Sequence, residues 1–97
     1  MEFKQLEMFV AVAAERSINR AAAKVFRTQP AVSMALSKLE QEVGSFLFHR
    51  SRERRFHLTR AGEVLHEYAK QMLALRDEAA AVVTKRIFEC SQVPSVN

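Results

Sequence analysis

The stretch Ser17-Ile-Asn-Arg-Ala-Ala-Ala-Lys-Val-Phe-Arg-Thr28-Gln-Pro-Ala-Val-Ser-Met-Ala-Leu-Ser-Lys38 decides the fold. It opens on Ser17, a hydroxyl residue suited to capping a helix by accepting an orphan backbone N–H. Ile18, Ala21, Ala22 and Val25 then form the apolar stripe of a short helix, and the alanines let another helix approach closely. Phe26 and Arg27 read as a turn. Thr28 is a second cap, and Pro30 falls in the first helical turn, where its missing N–H costs nothing. Val32, Leu36, Leu39 and Val43 step by four, three and four residues along one face of the helix that follows, and Gly44 is its left-handed stop. Two helices this close, with apolar inner faces, predict a helix-turn-helix.

The opposite face of the second of these helices carries Gln29, Ser33, Met34, Ser37 and Lys38. Glutamine can pair with adenine N6 and N7, serine can bond most base edges, and Pro30 and Met34 can touch a thymine methyl. Gln29, Pro30, Ser33, Met34 and Ser37 are therefore the candidate base readers, and the free N–H groups around Thr28 suit a phosphate. The same residues would also serve as the solvated face of any small helical bundle. Charge shifts the balance. Residues 16–38 hold Arg16, Arg20, Lys24, Arg27 and Lys38 with no acid, and residues 50–60 hold five arginines against Glu53. These segments carry +5 and +4 in a chain whose total is only +4. Segregated positive charge marks a polyanion binder, and alone it fits DNA, RNA or anionic lipid.

Working outward, Phe3, Leu6, Phe9, Val10 and Ala13 predict an amphipathic first helix ending near Glu15. After Gly44 the period changes. Leu47–Arg50 and Arg55–Leu58 read as two short strands with Ser51–Arg54 as the tip between them. Arg50, Arg52, Arg54 and Arg55 make this hairpin a wing able to lie along phosphates, the competing reading being a solvent-exposed charged loop. Strand alternation would put Arg50, Arg52 and Arg54 on one side and Arg55 on the other. Thr59 caps a long last helix, about residues 60–88, along which Ala61, Leu65, Tyr68, Met72, Leu75, Ala79 and Val82 form a heptad seam. Its first two turns are expected to pack on the chain's own core. The helix would be about 43 Å long, so its distal half outruns the domain. A partner helix is expected there, with Leu65, Tyr68, Met72, Leu75, Ala79 and Val82 as the dimer face.

The strings Leu6-Glu-Met-Phe-Val-Ala-Val-Ala, Ser17-Ile-Asn-Arg-Ala-Ala, Thr28-Gln-Pro-Ala-Val-Ser, Leu39-Glu-Gln-Glu-Val-Gly, Leu47-Phe-His-Arg and Leu58-Thr-Arg-Ala-Gly occur in one order. Residues 1 to about 86 thereby resemble the N-terminal domain of LysR-type transcriptional regulators. The resemblance implies a mainly α fold: a winged helix-turn-helix of three helices and a two-stranded wing (residues 1–59), a linker or dimerisation helix (60–88) and a tail (89–97). It implies a homodimer on partly palindromic double-stranded DNA upstream of regulated genes. Gln29, Pro30 and Ser33 would read the groove, Arg20 and Thr28 would sit near the backbone, and the wing arginines would flank. Arg27 and Lys38 are further expected backbone contacts. Two departures stand out. The family often has arginine or a similar polar residue where this chain has Met34, so a guanine-reading donor is gone. Family members also continue for roughly two hundred residues into an effector-binding domain, which 97 residues cannot hold. The expectation is a fragment or a short protein, with a small-molecule effector only if the native chain is longer. A short chain that pairs with full-length relatives and blocks them is the competing function.

Other classes find little support. Cys90 is the single cysteine and reads as a free thiol, Met1-Glu-Phe-Lys-Gln is not a signal peptide, and the apolar run Met8–Ala14 is too short to span a bilayer. No membrane partner and a cytoplasmic location are expected. His49, His57 and His66 read as satisfied surface or wing histidines rather than metal ligands. No phosphate loop, carboxylate pair or nucleophile–base pair is present, so neither an enzyme nor a cofactor is expected.

Overall fold

The structure is a computed structural model that describes the backbone of residues 1–89 and the side chains of residues 1–86. Cys90 and the expected tail lie outside the described residues. The elements are α1 (Phe3–Glu15), α2 (Ile18–Lys24), α3 (Gln29–Val43) and α4 (Arg60–Glu89). Each boundary has a local cause. Arg16 adopts left-handed backbone (φ 54) and ends α1, its N–H reaching Val12 O at 2.7 Å. Ser17 Oγ then accepts from the Arg20 N–H at 3.2 Å, and Thr28 Oγ1 accepts from the Ala31 N–H at 3.2 Å. Both expected caps are in place, and Gly44 ends α3 at φ 74. Between α2 and α3 the chain turns at Phe26, which is also left-handed (φ 57) and 93% exposed. A side chain at this φ is strained, so the tight turn between the helices is kept against a local cost.

The core lies where α1 crosses the other three helices. Phe9 is fully buried and meets the edges of Phe48 (5.5 Å) and His66 (6.1 Å). Leu6, Val12, Ala21, Ala22, Val32, Leu36 and Leu39 surround it. A fully buried phenylalanine contributes about 2–3 kcal/mol, so Phe9 anchors α1, the wing and α4 together. The predicted stripes of α1, α2 and α3 face this core, except that Phe3 at the start of α1 and Val43 at the end of α3 remain exposed.

The wing departs from expectation. In place of two strands there are two single bridges, Phe48 with Leu58 and His49 with Arg55. Phe56 is the physical reason. Its backbone is left-handed (φ 64), which breaks the extended run, and its ring turns inward onto Phe48 at 6.1 Å. Without a continuous strand, the expected alternation of the arginines does not arise.

α4 packs further along its own domain than its first two turns. Ala69 is fully buried, Leu65, Met72 and Leu73 lie against the core, and Arg76 Nη1 reaches Glu7 Oε2 at 2.9 Å. From Asp77 to Arg86 every side chain is exposed. At its start, α4 approaches the wing backbone very closely. Thr59 N–H donates to Leu47 O at 3.0 Å, and a Cβ on Gly62 would lie 2.1 Å from that same oxygen. Gly62→Ala should therefore destabilise the domain by about 3 kcal/mol, read as a lower urea midpoint, because a backbone carbonyl cannot move aside as a side chain can.

His66 is half-buried beneath Phe9, not a surface residue as expected. Burial, and then the Lys70 ammonium, hold its pKa below the ordinary value, with Glu67 opposing. Folding thus favours the neutral ring. The associated stability is present above the ordinary histidine pKa and is lost as pH falls through it towards the lowered value. Denaturant unfolding at pH 7 and pH 5 should show a smaller acid loss in His66→Gln than in the parent chain.

Candidate nucleic-acid interface

The exposed face of α3 gathers the candidate readers. Gln29, Pro30, Ser33, Met34, Ser37 and Lys38 are all solvent-exposed, and their three- and four-residue spacing stacks them along one side. Met34, at 59% exposed, is an apolar side chain held in water. Arg20 on α2 and Arg27 and Thr28 in the turn are exposed at the N-terminal end of α3. Arg20, Arg27, Lys38, Arg52, Arg54 and Arg55 form no ion pair with any described residue. The acids instead take partners elsewhere: Glu15 with Lys24 (3.3 Å), Glu42 with the N-terminal ammonium (2.6 Å) and Glu7 with Arg76. The face of α3 and the wing tip therefore keep their positive charge.

A cleft of about 340 Å³ separates α3 from the wing. Ser33 and Ser37 line one wall, and His49, Arg52 and Arg55 line the other. Arg55 lies over the Phe56 ring at 4.9 Å, which steers its guanidinium. Arg50 is different from the other three wing arginines. Its guanidinium bonds Glu40 on α3 and lies 4.2 Å over the Phe46 ring. The pairing ties the wing to α3, while more than half of the side chain stays exposed beside the other wing arginines that sequence groups as backbone contacts.

Glu40 is the residue that sequence reading missed. It is only 9% exposed, and besides Arg50 it accepts a hydrogen bond from the Leu47 N–H at 2.8 Å. A carboxylate late in a helix reads as a solvated charge. Only the sharp exit at Gly44 brings Leu47 back onto it. Asn19 has no such signal in the sequence either: its Oδ1 accepts a hydrogen bond from Gln29 Nε2 across the turn.

The expected dimer face divides. Tyr68, Leu75, Ala79 and Val82 are exposed, while Leu65 and Met72 are partly buried against their own core. Val64 and Val83, outside the heptad seam, are exposed as well. Tyr68, Val64, Leu65 and Met72 border an apolar groove of about 560 Å³ that Met1, Val43 and Leu47 close from the other side.

The histidines also need correction. His57 Nδ1 is buried with no hydrogen-bond partner among the described residues, so it is not the satisfied group expected. Among the described residues no three histidine, cysteine or acidic side chains cluster to hold a metal, and no helix is long and apolar enough to cross a membrane.

Three helices, an α3 face left open and a basic wing define a winged helix-turn-helix protein. Residues 3–63 match the model of the bacterial regulatory helix-turn-helix protein, lysR family, and the chain belongs to that family. It is 47% identical over 79 residues to the HTH-type transcriptional regulator BudR of Klebsiella aerogenes, covering 81% of this chain and 54% of BudR. It is 36% identical over 83 residues to the regulator BsdA of Bacillus subtilis, covering 86% of this chain and 29% of BsdA. The chain thus spans between about a quarter and a half of these relatives' lengths. The fold is similar to the BenM DBD in its complex with benA site 1 DNA (TM-score 0.80, 36% identity, 90% of this chain and 99% of that one). It is also similar to the CbnR DBD in its DNA complex (TM-score 0.81, 32% identity, 89% and 98%).

Glu40→Ala should lower stability by about 2 kcal/mol, most of it from the Leu47 N–H left without an acceptor. Arg50→Ala should cost less, because Arg50 is 57% exposed and its attraction is screened. Urea melts of the two variants check the order.

Proposed function

We propose that this chain binds double-stranded DNA in a sequence-specific way, as a homodimer, and so regulates transcription in the cytoplasm. The exposed face of α3, polar and ringed by unpaired cations, is the observation that carries the reading. Gln29, Pro30, Ser33, Met34 and Ser37 read base edges in the major groove. Arg20, Arg27, Thr28 and Lys38 hold the phosphates beside the recognition helix, and Arg52, Arg54 and Arg55 hold those beneath the wing. Arg50 joins them at the foot of the wing, where its bond to Glu40 leaves more than half of the side chain exposed. Similarity to BenM and CbnR domains in DNA complexes supports the same docking.

Residues 1–59 form the reading unit, and α4 forms the dimer contact through Tyr68, Leu75, Ala79 and Val82, with Leu65 and Met72 at its base. Two reading units related by a two-fold axis require a partly palindromic site. The role is one of binding, with no catalytic step assigned. A small-molecule effector enters only through a domain further along a longer native chain.

Selection from random duplexes, followed by gel-shift titration, tests this reading. The selected duplex should bind more tightly than its scrambled counterpart, and affinity should fall steeply with salt. Equal affinity for both would sink sequence-specific binding. Gln29→Ala should lose about 1–3 kcal/mol of that preference. Arg52→Ala should weaken both duplexes alike and reduce the salt slope by about one.

A further inference from the structure

Asn19 carries no role in the reading above, yet it touches the most polar of the base readers. It is the second residue of α2, exposed, and placed by a short helix whose start is fixed by the Ser17 cap on the Arg20 N–H. Its Oδ1 accepts a hydrogen bond from Gln29 Nε2, ten residues away across the turn. Both side chains are exposed, so no core packing holds them. We infer that Asn19 is a positioning residue for base recognition: its amide engages that of Gln29 and narrows the rotamers from which Gln29 meets a base.

The chemistry follows from the amide's two ends. Pairing with adenine needs the oxygen of Gln29 to accept from N6 and its nitrogen to donate to N7, in one sense only. An amide turned over by half a rotation presents the two ends exchanged. Gln29 is an exposed, long side chain at the start of α3, and its rotamers are otherwise unrestricted. The bond to Asn19 uses one N–H of Nε2 and leaves the second N–H and both lone pairs of Oε1 for the base. Asn19 carries a donor as well as an acceptor, so its own amide can serve Gln29 in either sense, and what it restricts is the place of the Gln29 side chain. Asn19 therefore narrows the rotamers of Gln29, as a supporting residue does for a preorganised contact.

The inference rests on Gln29 being a base reader, so the test separates the two. The full chain and the variants Asn19→Ala, Asn19→Asp, Gln29→Ala and Asn19→Ala/Gln29→Ala are titrated against the selected duplex and its scrambled counterpart. The readout is the ratio of the two affinities, which cancels effects common to any DNA. Gln29→Ala is expected to lower the ratio about fivefold to 150-fold, and Asn19→Ala by a smaller factor of at least about threefold. In the Gln29→Ala background, Asn19→Ala should change nothing further. Asn19→Asp keeps an acceptor that can only accept, so it should preserve the ratio while its negative charge weakens binding to both duplexes. A merely structural role for Asn19 would not be rescued in this way.

If Gln29→Ala keeps the parent ratio, base reading by Gln29 is wrong and the positioning role falls with it. If Gln29→Ala loses the ratio but Asn19→Ala keeps it, the positioning role alone is wrong. If Asn19→Ala still lowers the ratio without Gln29, Asn19 contacts DNA directly and the inference is likewise overturned.

Discussion

Glu40 turns its carboxylate inward from the last turns of α3, where a charge can be tolerated only with partners. It finds two, the Leu47 N–H and the Arg50 guanidinium. Through the first, the chain leaving α3 is folded back at a fixed angle. Through the second, the basic wing is tied to the helix beside it. Leu47 then passes the constraint on, because its carbonyl receives the Thr59 N–H and lies against Gly62 at the start of α4. Helix, wing and long helix therefore meet at one residue's backbone. Desolvating Glu40 works against folding, so the network earns its place through the arrangement it specifies more than through net stability.

That arrangement explains how a chain of modest net charge keeps a strongly basic face. Glu7, Glu15 and Glu42 pair with Arg76, Lys24 and the N-terminal ammonium, and Glu40 pairs with Arg50. Arg20, Arg27, Lys38, Arg52, Arg54 and Arg55, without such partners among the described residues, are exposed on α2, the turn, α3 and the wing tip. Positive potential is thus a product of the pairing pattern, and +4 overall understates it. Phe46 and Phe56 assist by holding Arg50 and Arg55 over their rings, which limits the directions these long side chains can take.

Much of the helix-turn-helix was legible because its signals are local. Ser17, Thr28 and Gly44 act on residues three or four positions away, and the stripes of α1 to α3 follow the helical period. The face of α3 was legible for the same reason, since opposite sides of one helix are fixed by spacing. What escaped depends on contacts that spacing does not encode. Glu40 reaches Leu47 only after the turn at Gly44, and Asn19 reaches Gln29 only once α2 and α3 are docked. The wing was misread because Phe56 looks like a strand residue but sits in left-handed backbone. How far α4 packs on its own domain was less legible because one helix serves two surfaces: the positions facing its own core are offset by about one residue from the heptad seam, and Ala61, Leu65 and Met72 fall on both.

α4 also changes character along its length. Up to Arg76 its backbone is shielded by α1 and by the ion pair to Glu7. Beyond that point a run including Ala79, Ala80 and Ala81 continues with no neighbour among the described residues. Alanine is the best helix former, but an isolated helical segment of this length is marginal in water. Amide hydrogens in the first half belong to the cooperative core and exchange only when the domain opens. Those in the second half exchange through fraying unless something covers them, which makes the exchange profile of this one helix a gauge of whether its outer half is in company or alone.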